Sequence, residues 1–404
     1  MIRHGHQVDQ YYRVSKRISK TDFISKALEL RRVDHQFRSL RFVEPIYGTS
    51  NVKIDGKEYI NFCTNDYLGL SSNLEVIKRS TDFTNTYGAG SGASRLVSGS
   101  FSIHQQLEEK LALTFGVEAV LLFNTGFQAN TTILSTLADR NSLILADKKC
   151  HNSLIQGALL SRATFKRFNH NDLDHLESLL VEASSTSYNR VWIVSETIFS
   201  MDGDQSDVSA LIDLAQKYDA LFYSDDAHAL GVLGEKGLGL NFGKSGIDVS
   251  IGTFGKAFGS FGAFVGCSLE MKNYLVNFCP GFIYTTSLPP AVLGAIDASL
   301  DLIPKMEEDR KLLYKNITFL KSEVEKLEFK IGDSASQIIP IIIGSEEKTM
   351  DLSQYLEEHG IWASAIRPPT VENNASRIRI TINTNHSQSD INHLLTTLSS
   401  WKKK

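Results

Sequence analysis

The chain has 404 residues, room for two or three cooperating domains around a large core, which excludes a peptide or a disulfide-stapled mini-domain. With 42 Lys+Arg against 46 Asp+Glu the formal charge is −4, and 22% charged with 42% hydrophobic residues is ordinary globular composition, so no nucleic-acid partner is expected. The first twenty residues are polar and no run of about 18 apolar residues exists, so neither a secretory signal nor a transmembrane segment is expected and the default compartment is the cytoplasm.

In chain order, residues 22–42 carry apolar positions at helical spacing with charges between them, which predicts an exposed amphipathic helix. NVKIDGKEYINF reads as a hairpin turning at Asp55-Gly56. From about residue 103, short apolar runs at 119–123, 142–146, 164–168, 191–195, 220–224, 249–254 and 263–267 alternate with helical stretches. Strands buried on both faces with helical crossovers predict an α/β domain on a mainly parallel sheet. After Pro289-Pro290 a long helix and the strands QIIPIIIG and RIRITI indicate a smaller α+β domain. The expected division is 1–61, 62–290 and 291–404. The four cysteines, Cys63, Cys150, Cys267 and Cys279, lack zinc spacing and read as reduced packing residues, with no metal site expected.

In SIGTFGKAFGSFG (250–262) one lysine, Lys256, stands among small residues after an apolar strand. Desolvation favours the neutral amine, which makes such a lysine a nucleophile able to form a Schiff base; a snorkelling lysine at a strand end reads equally well. ALFYSDDAHALGVLG ends a strand in Asp225-Asp226 followed by His228. A carboxylate at a strand's carboxyl end faces a ligand in open α/β sheets, although the pair taken alone reads better as a helix N-cap. Together the lysine and the acid match what pyridoxal phosphate (PLP) needs: an amine for its aldehyde and a partner for its ring nitrogen. LFNTGFQAN (122–130) passes from a strand through Gly126 and Phe127 into a helix, either an anion site or a plain β-to-α turn. The hydroxyls of Thr253, Thr285 and Thr286 are further candidates for that anion. YGAGSGASR (87–95) contains G-x-G-x-x-A, but the segment before it is polar and Glu108, twenty residues on, lies in a helical run, so a dinucleotide site is not expected.

The succession NDYLGLS (65–71), GSGASRLVSG (90–99), GFQAN (126–130), CHNS (150–153), FSMDGD (199–204), DDAH (225–228), GTFGKAFG (252–259) and YTTSLPP (284–290) resembles the α-oxoamine synthase family of fold-type I PLP transferases, from about Asn61 to His386. The resemblance implies PLP carried by Lys256, with Asp225 as ring-nitrogen partner, His151 stacked on the ring, and His228 and Ser200 near its phenolic oxygen. It implies a phosphate cradle at Gly126, Phe127 and Thr253, with Thr285 and Thr286 supplied across a homodimer interface. Asn65 and Arg379 match positions that hold the amino-acid carboxylate, Arg by a two-pronged grip. From the strand pattern alone Arg379 reads as a solvated residue facing the same way as Arg377. Glu196 matches an acidic family position; HND (170–172) does too, but a helix cap is the preferred reading there. The family commonly has Asp-Glu where this chain has Asp225-Asp226.

The implied activity is decarboxylative condensation of an amino acid (alanine, glycine or serine) with an acyl-CoA or acyl-carrier-protein thioester. GTFGKAFG and IRPPTV (366–371), with Arg367 near the acyl entrance, are closest to the biotin-biosynthesis branch that joins L-alanine to a pimeloyl thioester. Glycine acetyltransferase, 5-aminolevulinate synthase and serine palmitoyltransferase chemistries are the alternatives within the family. Outside it stand an ordinary PLP aminotransferase and a non-catalytic partner subunit.

Overall fold

The structure, a computed structural model, describes residues 20–34 and 36–404. Most of the N-terminal stretch read as lacking a secretory signal therefore lies outside the described residues. Two compact units are present, Met1–Arg41 and Phe42–Lys404. In the first, the helix runs over Asp22–Val33 and buries none of its side chains. It is shorter than the predicted 22–42. Asp34 forms its C-cap, and Arg32 stacks over the Phe37 ring at 4.5 Å, closing the turn that ends it.

The second unit opens with β1 (Glu44–Pro45), β2 (Asn51–Ile54) and β3 (Lys57–Asn61). β2 and β3 form the predicted hairpin, with Asp55 and Gly56 both at positive φ, as a two-residue turn of this kind requires. The main sheet follows: β4 (Ala119–Phe123), β5 (Ser142–Asp147), β6 (Thr164–Phe168), β7 (Arg190–Glu196), β8 (Leu221–Asp225), β9 (Val249–Thr253) and β10 (Ala263–Cys267). Its order is β4-β10-β9-β8-β7-β5-β6. Every adjacent pair is parallel except those of β10, which runs antiparallel to β4 and β9.

Alternate residues of β5 serve opposite faces, Ile144 and Ala146 packing with Leu134 and Leu154 while Leu143 and Leu145 pack with Leu176 and Leu211. Helices on both faces thus account for the apolar inner strands, while the edge strand β6 carries Lys166 and Arg167.

The C-terminal part holds β11 (Ile338–Gly344), β12 (Ile361–Trp362), β13 (Ser364–Ile366) and β14 (Ser376–Thr381). β11, β14 and β13 form an antiparallel sheet, while β12 pairs in parallel with β3 and so joins the first hairpin to this part. Ile378 and Ile380 enter a core shared with Leu352, Leu356 and Leu394. Because side chains alternate along a strand, Arg377 and Arg379 share the other face.

Candidate active site

The parallel strands β5, β7, β8 and β9 end in Asp147, Glu196, Asp225 and Thr253, and β4 leads through Asn124 and Thr125 into the helix Gly126–Leu137. A cavity of about 400 Å³ lies at this carboxyl edge, lined by residues that include Asn65, Gly126, Phe127, His151, Glu196, Ser200, Asp225, His228, Thr253, Lys256 and Arg379. Ligands of open α/β sheets bind at this edge, because strand ends and helix starts converge there.

Lys256 follows β9 by three residues, and its Nζ lies 3.3 Å from Thr253 Oγ1. Desolvation lowers its pKa below the ordinary lysine value and the Arg379 charge adds to this, while the carboxylates of Asp225 and Glu196 pull the other way. The balance favours a neutral, nucleophilic amine relative to a surface lysine.

Asp225 is buried at the end of β8. Its Oδ2 accepts from Asn130 Nδ2 at 2.7 Å and its Oδ1 from the Ala227 amide at 3.0 Å, so the carboxylate is fixed in orientation. Asn130 is itself held, donating to Ser153 Oγ at 2.9 Å and accepting from Tyr223 Oη at 2.9 Å. Asp226 points away from the cavity and accepts from Thr197 Oγ1 at 2.5 Å and the Leu240 amide at 3.2 Å. A Cβ at Gly239 would fall 1.9 Å from Asp226 Oδ2, so a glycine is needed where that loop crosses the short second acid.

Glu196 stands directly opposite Asp225 in the β7–β8 register. Burial, reinforced by the Asp225 charge, pushes its carboxyl well above the usual range. It accepts from the His151 amide in a short hydrogen bond, which positions the start of the helix Asn152–Ser161.

His151 lies on the pocket wall with Nδ1 2.8 Å from Ser153 Oγ; desolvation, with the Lys256 charge, holds its pKa below normal. His228 is buried, with Nδ1 2.7 Å from Tyr67 Oη, and desolvation keeps it well below the usual imidazole value, hence neutral.

Arg379 is buried too. Its Nε donates to the Ser200 carbonyl at 2.7 Å and one terminal nitrogen to Asn65 Oδ1 at 3.2 Å, leaving the guanidinium at the cavity edge. The outward, solvated reading of the RIRITI arginines is corrected here. Arg377 faces the same way, but it is buried against Asp202 of the same turn. One strand face grips the Ser200–Asp202 turn with two cations, and only Arg379 reaches the cavity wall.

The helix Gly126–Leu137 begins beneath Thr253, and a Cβ at Gly126 would stand 2.6 Å from Thr253 Cγ2. Thr125 caps the helix, taking up the Gln128 amide at 3.0 Å. The amides of Gly126 and Phe127 precede any carbonyl they can reach within the helix and are available to an anion.

Three expected residues are not brought to this cavity by a single chain. Thr285 accepts from Asn124 Nδ2 at 3.3 Å beside a second cavity of only about 10 Å³, and Thr286 is exposed. Arg367 is half-buried beyond Ile366, the last residue of β13 and part of the cavity lining. Asn130, Tyr67 and Tyr223 belong to the site although the sequence reading gave them no role. Asn130 ends the string GFQAN, so its place one turn after the glycine was the available signal.

A family model described as aminotransferase class I and II matches residues 57–398. A putative 8-amino-7-oxononanoate synthase of Desulfosudis oleivorans is 48% identical over 386 residues, covering 96% of this chain and 100% of that protein. The 8-amino-7-oxononanoate synthase of Citrifermentans bemidjiense is 42% identical over 372 residues, 91% and 95% of the two chains. Among solved structures, a serine palmitoyltransferase variant from S. paucimobilis with a bound PLP–myriocin aldimine superposes with a TM-score of 0.89 at 25% identity, covering 96% of this chain and 98% of that one. The 8-amino-7-oxononanoate synthase of Francisella tularensis gives 0.74 at 28% identity, covering 85% and 98%.

Proposed function

We propose a function on one premise: the chain belongs to the class I and II aminotransferase family and, within it, to the α-oxoamine synthases. The proposed reaction joins L-alanine to a pimeloyl thioester with loss of CO2 and of the thiol, yielding 8-amino-7-oxononanoate, a step of biotin biosynthesis. The observation that carries it is a desolvated Lys256 and a fixed Asp225 on one cavity, in a chain with 42–48% identity to relatives bearing that enzyme's name.

PLP fits the residues present. Lys256 Nζ would hold its aldehyde carbon, Asp225 its ring nitrogen, and the Gly126 and Phe127 amides with Thr253 its phosphate. The tight approach of Gly126 to Thr253 leaves no space for a side chain, which keeps the helix start open to an anion. Bound there, the cofactor supplies an electron sink conjugated to the α-carbon of the amino acid.

The chain's own groups do the rest. Arg379 and Asn65 hold the substrate carboxylate, which fixes the Cα–H bond relative to Lys256. Lys256 Nζ would take the α-proton and later return one, a role its lowered pKa suits. Asp225 stabilises positive charge on the ring nitrogen from a position held by Asn130. His151 would lie against the ring, and the neutral His228 with Ser200 would offer hydrogen-bonding groups to its phenolic oxygen. A homodimer would bring Thr285 and Thr286 of a second copy to the phosphate. No described helix is long and apolar enough to cross a membrane; the thioester partner proposed is a CoA or carrier-protein thioester met in the cytoplasm.

Serine palmitoyltransferase chemistry is the second reading, favoured by the TM-score of 0.89 to such an enzyme. Thiol release is to be measured with alanine, glycine and serine against pimeloyl-, acetyl-, succinyl- and palmitoyl-CoA. Highest kcat/KM for alanine with pimeloyl-CoA is expected. Preference for serine with palmitoyl-CoA would replace the first reading with the second, and amino-group exchange without thiol release would point to an aminotransferase.

A further inference from the structure

Outside the cavity wall, one histidine is held between two acids. His170, which follows β6, has Nδ1 2.9 Å from Asp147 Oδ1 and Nε2 2.5 Å from Asp204 Oδ2. A neutral imidazole carries a single N–H, so one of these contacts would set a lone pair against a carboxylate oxygen; the imidazolium satisfies both. Asn171 adopts φ 52°, a left-handed conformation that asparagine tolerates better than most residues. This turn lets its amide reach Asp147 Oδ2 at 2.9 Å and its side chain reach Asp204 Oδ2 at 3.1 Å. The sequence reading of HND as a helix cap holds for Asp172, whose carboxylate takes the His175 amide at 2.9 Å. It leaves His170 and Asn171 unexplained.

The two acids belong to the two turns that flank the cavity. Asp147 ends β5 and also accepts from the Lys149 amide at 2.8 Å, ordering the turn that presents His151. Asp204 closes the turn after β7: its carbonyl accepts from the Phe199 amide at 3.0 Å, and Ser200 and Met201 from this turn line the cavity. Arg379 is hydrogen-bonded to the Ser200 carbonyl of the same turn.

We propose that His170 is a positioning residue, an imidazolium that staples the His151 turn to the Ser200 turn and thereby fixes the seat of Arg379. It rests on the proposed function for its effect on catalysis, but the staple itself does not. The charges that act on His170 are the carboxylates of Asp147 from β5 and Asp204 from the loop after β7, which raise its pKa to about 9 against the opposing effect of burial. From the same loop Phe199 sets its ring against the imidazole at 4.5 Å, while the nearby Lys149 and Arg377 are paired with Asp202. With the folded value above the ordinary 6.5, the staple is fully present below about pH 6.5 and is lost as pH rises through about 9.

The test uses full-length protein labelled with ¹⁵N-histidine, without cofactor, so that its outcome does not depend on turnover. His170, assigned by its loss in His170→Gln, is expected to show two protonated ring nitrogens at pH 7.5 and to titrate near 9. A single N–H, or titration near 6.5, would overturn the staple.

In the loaded enzyme His170→Gln is expected to raise the amino-acid KM by about ten- to a hundredfold with a smaller change in kcat, because misplacement of a positioning group by about 1 Å costs up to about a hundredfold. If that variant does not fold, Asp204→Asn keeps an acceptor but drops one charge, and should lower the His170 pKa and raise KM to a lesser degree. Wild-type KM in a folded variant would overturn the positioning role. Titration of His170 near 9 with no thioester turnover would leave the staple standing and remove the proposed reaction instead.

Discussion

The side-chain amide of Asn130 and the carboxylate of Asp225, 95 positions apart, meet at 2.7 Å, and this contact fixes the acid that faces the cavity. Asn130 lies on the helix that starts at Gly126, so one helix brings both the anion site and the support of the acid to the same edge. Its carbonyl is occupied by Tyr223 Oη, which orients the amide so that nitrogen faces Asp225.

Asn130→Ala is therefore expected to keep the fold and lower kcat/KM by about ten- to a hundredfold, the scale of a lost hydrogen bond to a charged group of about 1.5–3 kcal/mol. Steady-state kinetics together with α-proton exchange of the amino acid checks this. Exchange at the wild-type rate would show that Asp225 needs no such support.

Gly126→Ala places a methyl group 2.6 Å from Thr253 Cγ2, so it should loosen the phosphate cradle and weaken PLP binding by at least about tenfold. Thr253→Ser removes the obstructing methyl but keeps the hydroxyl. The double variant is expected to recover most of the affinity, measured as PLP dissociation by fluorescence quenching. Equal affinities for all three proteins would place the phosphate elsewhere.

His386 is expected to contribute to acid sensitivity. Its ring stacks on Phe62 at 4.3 Å, Nδ1 accepts from the Asn383 amide at 3.0 Å, and Nε2 donates to the Asn61 carbonyl at 3.2 Å, so the neutral tautomer satisfies every contact. Burial lowers its pKa to about 4. The unfolded chain therefore binds a proton near pH 6.5 that the folded protein refuses until about 4, and the stability due to neutral His386 is present above 6.5 and lost as pH falls through that window. The loss amounts to about 3 kcal/mol. Denaturant unfolding at pH 7.5 and 4.5, in wild type and His386→Gln, should show a smaller acid loss in the variant. Identical pH dependence would assign the acid sensitivity to other groups.

Legibility in the sequence followed the range of the interaction. Except in the edge strand β6, which carries Lys166 and Arg167, burial on both faces leaves an apolar run that made the main-sheet strands readable; Lys256, Asp225 and Gly126 stand where such runs end, while His151 was picked out only by the family resemblance. The RIRITI arginines misled because alternation normally puts charge into water; here the second face meets the Ser200–Asp202 turn, some 175 residues away in sequence. The support from Asn130, the His170 bridge and the Tyr67–His228 contact depend on pairings across the fold that no local spacing announces. The helix beginning at Asp22 ran short of its apolar pattern, since Asp34 caps it and residues 36–42 are not helical.

The central claim, that Lys256 holds the cofactor's aldehyde carbon, is tested most directly by incubating the protein with PLP, reducing with borohydride and mapping the modified peptide by mass spectrometry. A phosphopyridoxyl mass on Lys256 is expected, with a visible absorption band before reduction that Lys256→Ala lacks. A stable label on another lysine, with Lys256 unmodified, would contradict it.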